Sequence, residues 1–346
     1  MAKKKIALLT GGGDCPGLNA VIQSITRRLL HYDYRVIGLL EGWAGLMNKN
    51  FIPLDYSDVS GILHLGGTII KTSRTNILKD QESIDTAFEN FKELGLDGLV
   101  TIGGEGTLTV ASKMQERGMP IVGAPKTIDN DIGETDFTFG FNTAVEIATE
   151  AIDRLHTTAE SHQRVMVLEV MGRHAGWIAC YSGIAGGADI IITPEKERSL
   201  AEILEIVHSR RKRGKTFSII VVAEGASINI AGKSMSISKA KKDPFGRPLL
   251  GGIGKFLADT IEKETGIESR FTVLGHVQRG GTPSAHDRVL AVRYGYYAAE
   301  LVHQEKWGMM AALVGNRIQE VSLKKATKKL KTVNAELLEL LDACEG

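Results

Sequence analysis

The sequence predicts an α/β protein of two doubly wound domains with mainly parallel sheets. Short apolar runs alternate with helical patterns over most of the chain, as expected when helices cover both faces of a parallel sheet. Glycine-rich loops follow several of those runs directly, where a buried strand would turn into a helix. A length of 346 residues suffices for two compact domains, each with its own core.

Ile6-Ala7-Leu8-Leu9-Thr10 reads as the first strand, followed by Gly11-Gly12-Gly13-Asp14. Leu18, Val21, Ile22, Ile25 and Leu29 then recur at helical spacing. Residues 36–40, 99–102 and 121–124 give further strands of the same half, and 165–170, 190–193 and 217–222 a second series. Between the last two lies a helix capped by Ser199 that ends near the basic run Arg210-Arg211-Lys212-Arg213-Gly214-Lys215. Residues 225–252 lack sustained periodicity and read as a long loop, with room for a hairpin, over the substrate side. The Lys-rich and Leu/Glu-rich carboxyl terminus reads as a solvated helix. Ligands of such sheets bind beyond the carboxyl ends of the strands, and the motifs cluster there.

Hydrophobic residues at 43% and charged residues at 24% are ordinary for a soluble protein. A formal net charge of +1 argues against nucleic acid or a membrane surface as partner. Cys15, Cys180 and Cys344 lack metal-like spacing and read as reduced thiols. The apolar run after Met1-Ala2-Lys3-Lys4-Lys5 is too short for a signal peptide. No run approaches the ~20 apolar residues of a membrane helix. A cytoplasmic protein is expected.

Two motifs carry the chemistry. Gly103-Gly104-Glu105-Gly106-Thr107 follows the run 98–102, and glycines there let backbone N–H groups approach phosphate oxygens at a helix N-terminus. One such loop alone is a weak signal, since a tight turn with no ligand carries the same residues. Two further glycine loops, Gly11-Gly12-Gly13 and Gly66-Gly67-Thr68, make a large polyanionic ligand the better explanation. Glu105 suits Mg²⁺, which takes carboxylate oxygens alongside donor phosphates. Its plainer role is a carboxylate at the positive end of a helix dipole.

The second motif, Pro125-Lys126-Thr127-Ile128-Asp129-Asn130-Asp131, follows the run 120–124. In an extended segment Asp129 and Asp131 face the same side. Their repulsion leaves one as a proton acceptor while Lys126 or a metal offsets the charge. The same residues also suit a cluster of Asx turns. Beside a phosphate loop, they suggest phosphoryl transfer from a polyphosphate to an alcohol.

Arginines supply the acceptor side. Arg164 precedes a strand, Met171-Gly172-Arg173 follows it, and Arg270 opens a run leading into Gly275-His276-Val277-Gln278-Arg279-Gly280-Gly281. Arginine's planar fork binds phosphate bidentately, and several near strand ends form a clamp for a sugar phosphate. Singly, each would be a surface ion-pair partner. Glu224, after the strand 218–223, and His276 offer groups for sugar hydroxyls.

In motif order, from Ile6 to about Gly281, the chain resembles the phosphofructokinases, which phosphorylate fructose 6-phosphate at its 1-hydroxyl. The resemblance rests on residues 11–20, Gly66-Gly67-Thr68 with Ser73-Arg74, the two motifs above, 161–164, 171–173, Glu224 and 274–281. It is most similar to the ATP-dependent branch that carries lysine in the second motif. The resemblance implies a donor domain of residues 1–140 plus about 278–328, and a sugar-phosphate domain of 141–277 plus 329–346. The active site would lie in the cleft between them. It implies that Asp129 is the general base, with Thr127 and Asp131 beside it. Gly13 and Arg74 would contact the transferring phosphoryl group, Gly104, Gly106 and Thr107 the donor, and Glu105 would hold Mg²⁺. Met171, Gly172, Arg173, Glu224, Arg270, His276 and Arg279 would surround the sugar phosphate. Residues matching Arg164 and Arg270 reach into a neighbouring subunit in the family, which implies a homo-oligomer, dimer or tetramer.

Departures from the family pattern bear on the donor. Glu105 stands where Asp is commoner, and Lys126, where many ATP enzymes carry Gly, resembles the pyrophosphate-dependent branch and a related ATP-dependent one. Gly106 points the other way, because pyrophosphate users carry Asp there, against a nucleotide's α-phosphate. Gln23 and His156 replace arginines of the regulated bacterial enzymes, so their allostery is not carried over. The expected reaction uses ATP. A pyrophosphate or dual-donor enzyme and a non-catalytic sugar-phosphate sensor stand as alternatives.

Overall fold

A computed structural model describes residues 3–242 and 248–344. From the amino end, β1 (Lys5–Gly11) leads to α1 (Leu18–His31), β2 (Arg35–Leu39), α2 (Trp43–Met47) and β3 (Phe51–Leu54). Then come α3 (Gln81–Glu93), β4 (Gly98–Gly103), α4 (Glu105–Glu116), β5 (Ile121–Pro125) and α5 (Phe141–His162). The next elements are β6 (Val165–Val170), α6 (Trp177–Ala185), β7 (Ile190–Ile192), β8 (Arg198–Ser199), α7 (Leu200–Lys212) and β9 (Ser218–Ala223). Four short strands follow: β10 (Ser227–Ile230), β11 (Lys233–Ser236), β12 (Ser238–Lys242) and β13 (Pro248–Leu250). After α8 (Ile253–Thr265), β14 (Ser269–Val273) and a 3₁₀ turn (Gly275–Arg279) comes α9 (Ala285–His303). The chain ends in β15 (Met309–Val314), β16 (Arg317–Ser322), α10 (Leu323–Ala326) and α11 (Ala335–Cys344).

Two compact units result. The first comprises Met1–Thr143 with Arg279–Leu330 and the second Ala144–Gln278 with Lys331–Gly346. The first holds a seven-stranded sheet in the order β16-β15-β5-β4-β1-β2-β3. Its interior strands pair in parallel, while β3 and β16 close the edges antiparallel. Every residue of β4 and β5 is buried, as continuous apolar runs in a two-sided parallel sheet must be. The second unit holds a four-stranded parallel sheet in the order β14-β6-β9-β7. Its core joins Val167, Ile192, Ile220 and Val222 to Ile203 and Val207 of α7 and Leu257 and Ile261 of α8.

The capping box foreseen at Ser199 is present, with Glu202 completing it. Residues 225–252 differ from the single long loop expected. Ser227-Ile228-Asn229-Ile230 alternates, Ile228 enters the core, and β10 pairs with β11 antiparallel and with β8 in parallel. A second antiparallel pair, β12 with β13, follows, while residues 243–247 of this segment lie outside the described residues. The terminal helix is not wholly solvated either, because Leu341 is buried. Among the described residues no helix is long and apolar enough to cross a membrane.

The basic run at the end of α7 is not uniformly exposed. Arg210 turns inward, pairs with Asp189 at 2.8 Å and donates from Nε to Ser218 Oγ at 3.2 Å. Burial pushes the Asp189 carboxyl above its usual range, against the Ile219 N–H and the Arg210 charge. Arg210→Met should therefore lose about 3 kcal/mol of stability by stranding a buried carboxylate. The variant's Asp189 titrates still higher, so the folded state holds more protons than the unfolded one and stability falls as pH rises through that window. Calorimetric melts should show a larger deficit at about pH 7 than at about pH 5. A small deficit equal at both would mean the pair contributes nothing.

Candidate active site

In the first unit, the parallel register of β1 and β4 sets Gly11 opposite Gly103 at the carboxyl ends of both strands. The side chain of Thr107, from the first turn of α4, fills the notch between them. A Cβ on Gly11 would lie 2.5 Å from Thr107 Oγ1 and 2.7 Å from its Cγ2. No side chain caps α4, so its first N–H groups and its positive dipole end face the loop. The Gly12 N–H donates to Ser73 O at 2.9 Å and Thr72 Oγ1 donates to Gly12 O at 2.8 Å. These bonds bring the segment before Arg74 against the first glycine loop. Asn19 holds the Gly66-Gly67-Thr68 loop, donating to Leu65 O and Gly66 O and accepting from the Ile69 N–H at 2.9 Å.

The second motif begins where β5 ends. The Lys126 N–H donates to Gly103 O at 2.9 Å, and its buried Nζ donates to Gly13 O. Burial pushes the Lys126 ammonium below its usual pKa and Arg279 adds to the push, while Cys15, Asp129 and Asp14 oppose it. Arg279 packs its guanidinium directly on Gly13, where a Cβ would overlap it. Thr127 Oγ1 accepts the Asp129 N–H at 3.0 Å, and Thr138 Oγ1 donates to Thr127 O at 2.7 Å. Asp129 is only 6% exposed, and its Oδ1 has no hydrogen-bond partner among the described residues. Asn130 has φ 50°, so the segment is a bend rather than the extended run expected. Asp129 and Asp131 are both buried, but not by facing one side of a strand. Glu105 is half-buried at the start of α4 and accepts from Thr109 Oγ1 at 3.2 Å.

In the second unit, Met171-Gly172-Arg173 follows β6, Glu224 follows β9 and His276 lies beyond β14, three adjacent strands. Glu224 Oε1 accepts the Arg173 N–H at 3.2 Å. His276 is exposed. Arg164 and Arg270 are not with this group. Arg164 precedes β6, and Arg270 pairs in register with Met166 near the strands' amino ends. At ~3.3 Å per residue they lie roughly 20 Å from Met171 along the sheet. Arg164 pairs with Glu268 at 2.7 Å, and Arg270 with Glu268 and Glu262. One chain therefore does not gather all the predicted arginines into one clamp. Sequence reasoning gave Gln278 no role, although the structure buries it against Met171. Its position inside the run 274–281 was the only signal.

A parallel sheet whose carboxyl ends carry a glycine loop, a helix N-terminus and a buried lysine beside a buried carboxylate has the makings of a phosphotransferase. The phosphofructokinase family model matches residues 5–302, and the chain belongs to that family. It is 52% identical to the pyrophosphate–fructose 6-phosphate 1-phosphotransferase of Streptomyces coelicolor, over 97% of this chain and 98% of that one. It is 50% identical to ATP-dependent 6-phosphofructokinase 3 of the same organism, over 95% and 96%. Phosphofructokinase from Saccharomyces cerevisiae superposes with a TM-score of 0.82 at 34% identity, over 94% of this chain and 45% of that one. This chain thus spans about half the length of the yeast chain.

Gly11→Ala tests the notch at Thr107. Overpacking there should lower stability by about 1–3 kcal/mol. Thr107→Ala in the same chain should restore most of the loss, since it removes Oγ1 and Cγ2. Denaturant melts of the two single variants and the double would show strong coupling. Additive losses would mean that the methyl is rejected elsewhere.

Proposed function

We propose that this phosphofructokinase phosphorylates fructose 6-phosphate at its 1-hydroxyl with Mg²⁺-ATP, Asp129 acting as general base. The observation that carries the reading is the buried Asp129 Oδ1 with no hydrogen-bond partner among the described residues. An unmatched buried acceptor costs roughly 1–3 kcal/mol, and a substrate hydroxyl would satisfy it. Asp129 takes the hydroxyl proton as the sugar oxygen attacks the terminal phosphorus. The new O–P bond forms as the bridging P–O bond breaks, and ADP leaves with the electron pair.

Thr127 holds the Asp129 backbone, and the first turn of α4 with Gly13, Gly104, Gly106 and Thr107 receives the donor's phosphates. Lys126 and Arg74 offset the negative charge gathering there, and Asp131 adds to the carboxylate field around Asp129. Glu105 fits Mg²⁺, because that ion is held by one or two carboxylates together with substrate phosphates. Bound Mg²⁺ would supply charge neutralisation on the donor's phosphate oxygens. Met171, Gly172, Arg173, Glu224, His276 and Arg279 bind the sugar phosphate in this reading. Arg164 and Arg270, at the far end of their sheet, serve a neighbouring copy's site in a homo-oligomer. The enzyme is read as cytoplasmic.

A second reading takes pyrophosphate as donor. Buried Lys126 favours it, since a desolvated cation attracts a small, highly charged anion strongly. The 52% identical relative carries that donor in its name. Gly106, half-buried in the first turn of α4, favours ATP by leaving no side chain against the α-phosphate.

Asp129→Ser should lower kcat by ~10²–10⁴-fold, the usual share of general-base catalysis. KM for fructose 6-phosphate should change far less, because other residues bind the phosphate. Near-wild-type turnover would remove Asp129 from the chemistry.

For the donor, steady-state kinetics should show turnover with ATP-Mg²⁺ and little with pyrophosphate. Gly106→Asp should suppress ATP use, since a like charge at 4 Å is worth ~4 kcal/mol at an effective dielectric of 20. A wild type that prefers pyrophosphate would hand the assignment to Lys126 and the second reading.

A further inference from the structure

We propose that Gln278 is a positioning residue, one that holds the loop Met171-Gly172-Arg173 in its substrate-ready shape. The proposal deepens the phosphofructokinase reading and rests on it. Gln278 is fully buried in the 3₁₀ turn after β14, and its Oε1 accepts the Met171 N–H at 2.8 Å. Two residues on, Glu224 Oε1 accepts the Arg173 N–H at 3.2 Å. The loop backbone is therefore staked on both sides of Gly172 by side chains from two other segments.

The loop needs that support. Gly172 has φ 142°, and Arg173 has φ 55°, a left-handed conformation that a non-glycine residue adopts at a cost of about 1–3 kcal/mol. A Cβ on Gly172 would also lie 2.5 Å from Ala175 O. Such a backbone persists only where its surroundings over-determine it. Without an acceptor for the Met171 N–H, the loop would relax by turning that amide towards another partner.

The amide of Gln278 is there for its oxygen. Nε2 is buried with no hydrogen-bond partner among the described residues, so half of the side chain is a liability. An apolar residue of the same shape would avoid that penalty and would fill the space equally well. What it would not supply is the acceptor for Met171.

Two variants separate positioning from packing. Gln278→Met keeps the volume and loses the acceptor, and Gln278→Glu keeps an acceptor oxygen. In variants shown by thermal melts to be folded, Gln278→Met should raise KM for fructose 6-phosphate about tenfold, the scale of one net hydrogen bond. KM for the phosphoryl donor and kcat should change by less than about twofold. Gln278→Glu should recover most of the sugar-phosphate affinity. Amide hydrogen exchange should also rise at Met171 in Gln278→Met and stay slow in Gln278→Glu. An unchanged KM for fructose 6-phosphate in folded Gln278→Met, or an equal rise for both substrates, would overturn the proposal. So would a glutamate variant as impaired as the methionine one. A wild type that does not turn over fructose 6-phosphate would remove the parent reading, and exchange at Met171 would still report whether Gln278 holds the loop.

Discussion

Thr107 occupies the notch left by two glycines that the parallel register of β1 and β4 sets side by side. Much of the first unit's site depends on that one fit. Thr107 stands in the first turn of α4, so the wedge fixes where the helix begins and where its first N–H groups sit. The next strand joins the same frame when the Lys126 N–H bonds to Gly103 O. Gly12, through Ser73 and Thr72, adds a fourth segment. Four pieces of chain far apart in sequence are thus locked by contacts a side chain at Gly11 or Gly103 would break. All of these contacts lie within the chain, so the fold itself orients the N–H groups. That is the condition under which oriented dipoles act most strongly on developing charge.

The cations are treated in three ways. Lys126 is 3% exposed, and burial works against its charge. A buried ammonium attracts an incoming phosphate with little solvent between them, so its effect is large and specific. Arg164 and Arg270 are more exposed and already paired with glutamates of their own unit. Pairs of that kind typically contribute about 0–1 kcal/mol, so the glutamates hold these arginines weakly. Arg210 is the third case. In sequence it is one member of the basic run 210–215, yet its guanidinium is sequestered by Asp189.

What was legible in the sequence follows from how local each cause is. The strand–glycine–helix unit at residues 6–29 was legible because its apolar run, glycine turn and helical periodicity are all written within one segment. The capping box at Ser199 and Glu202 was legible for the same reason. The short strands β10 to β13 were not, because each is brief and β10 is stabilised by pairing with the distant β8. The alternation of Ser227 to Ile230 was present but too short to outweigh the polar composition around it. The bend at Asn130 defeated the argument that Asp129 and Asp131 share a strand face, although asparagine tolerates the left-handed region well. The sequence names Arg164 and Arg270 beside Met171 and Arg173 as candidates, but it does not show that the structure sets them at opposite ends of one sheet. The contact of Gln278 was invisible because it meets a backbone amide more than a hundred residues away.

Two relatives of nearly equal identity bear names with different phosphoryl donors, which a shared fold and shared loops readily permit. A tenfold preference needs only about 1.4 kcal/mol, within reach of one side chain. Position 106 is well suited to that part because the Thr107 wedge holds its backbone in place whatever residue stands there. An aspartate at that point of α4 would stabilise the helix through its dipole and by replacing glycine, by roughly 1 kcal/mol in all. On the proposed ATP reading, the same carboxylate would repel the nucleotide's α-phosphate. On that reading, helix stability and nucleotide binding pull position 106 in opposite directions. A glycine at the N-terminus of α4 forgoes helix stability, and on the proposed ATP reading room for a nucleotide's polyphosphate is the gain that offsets it.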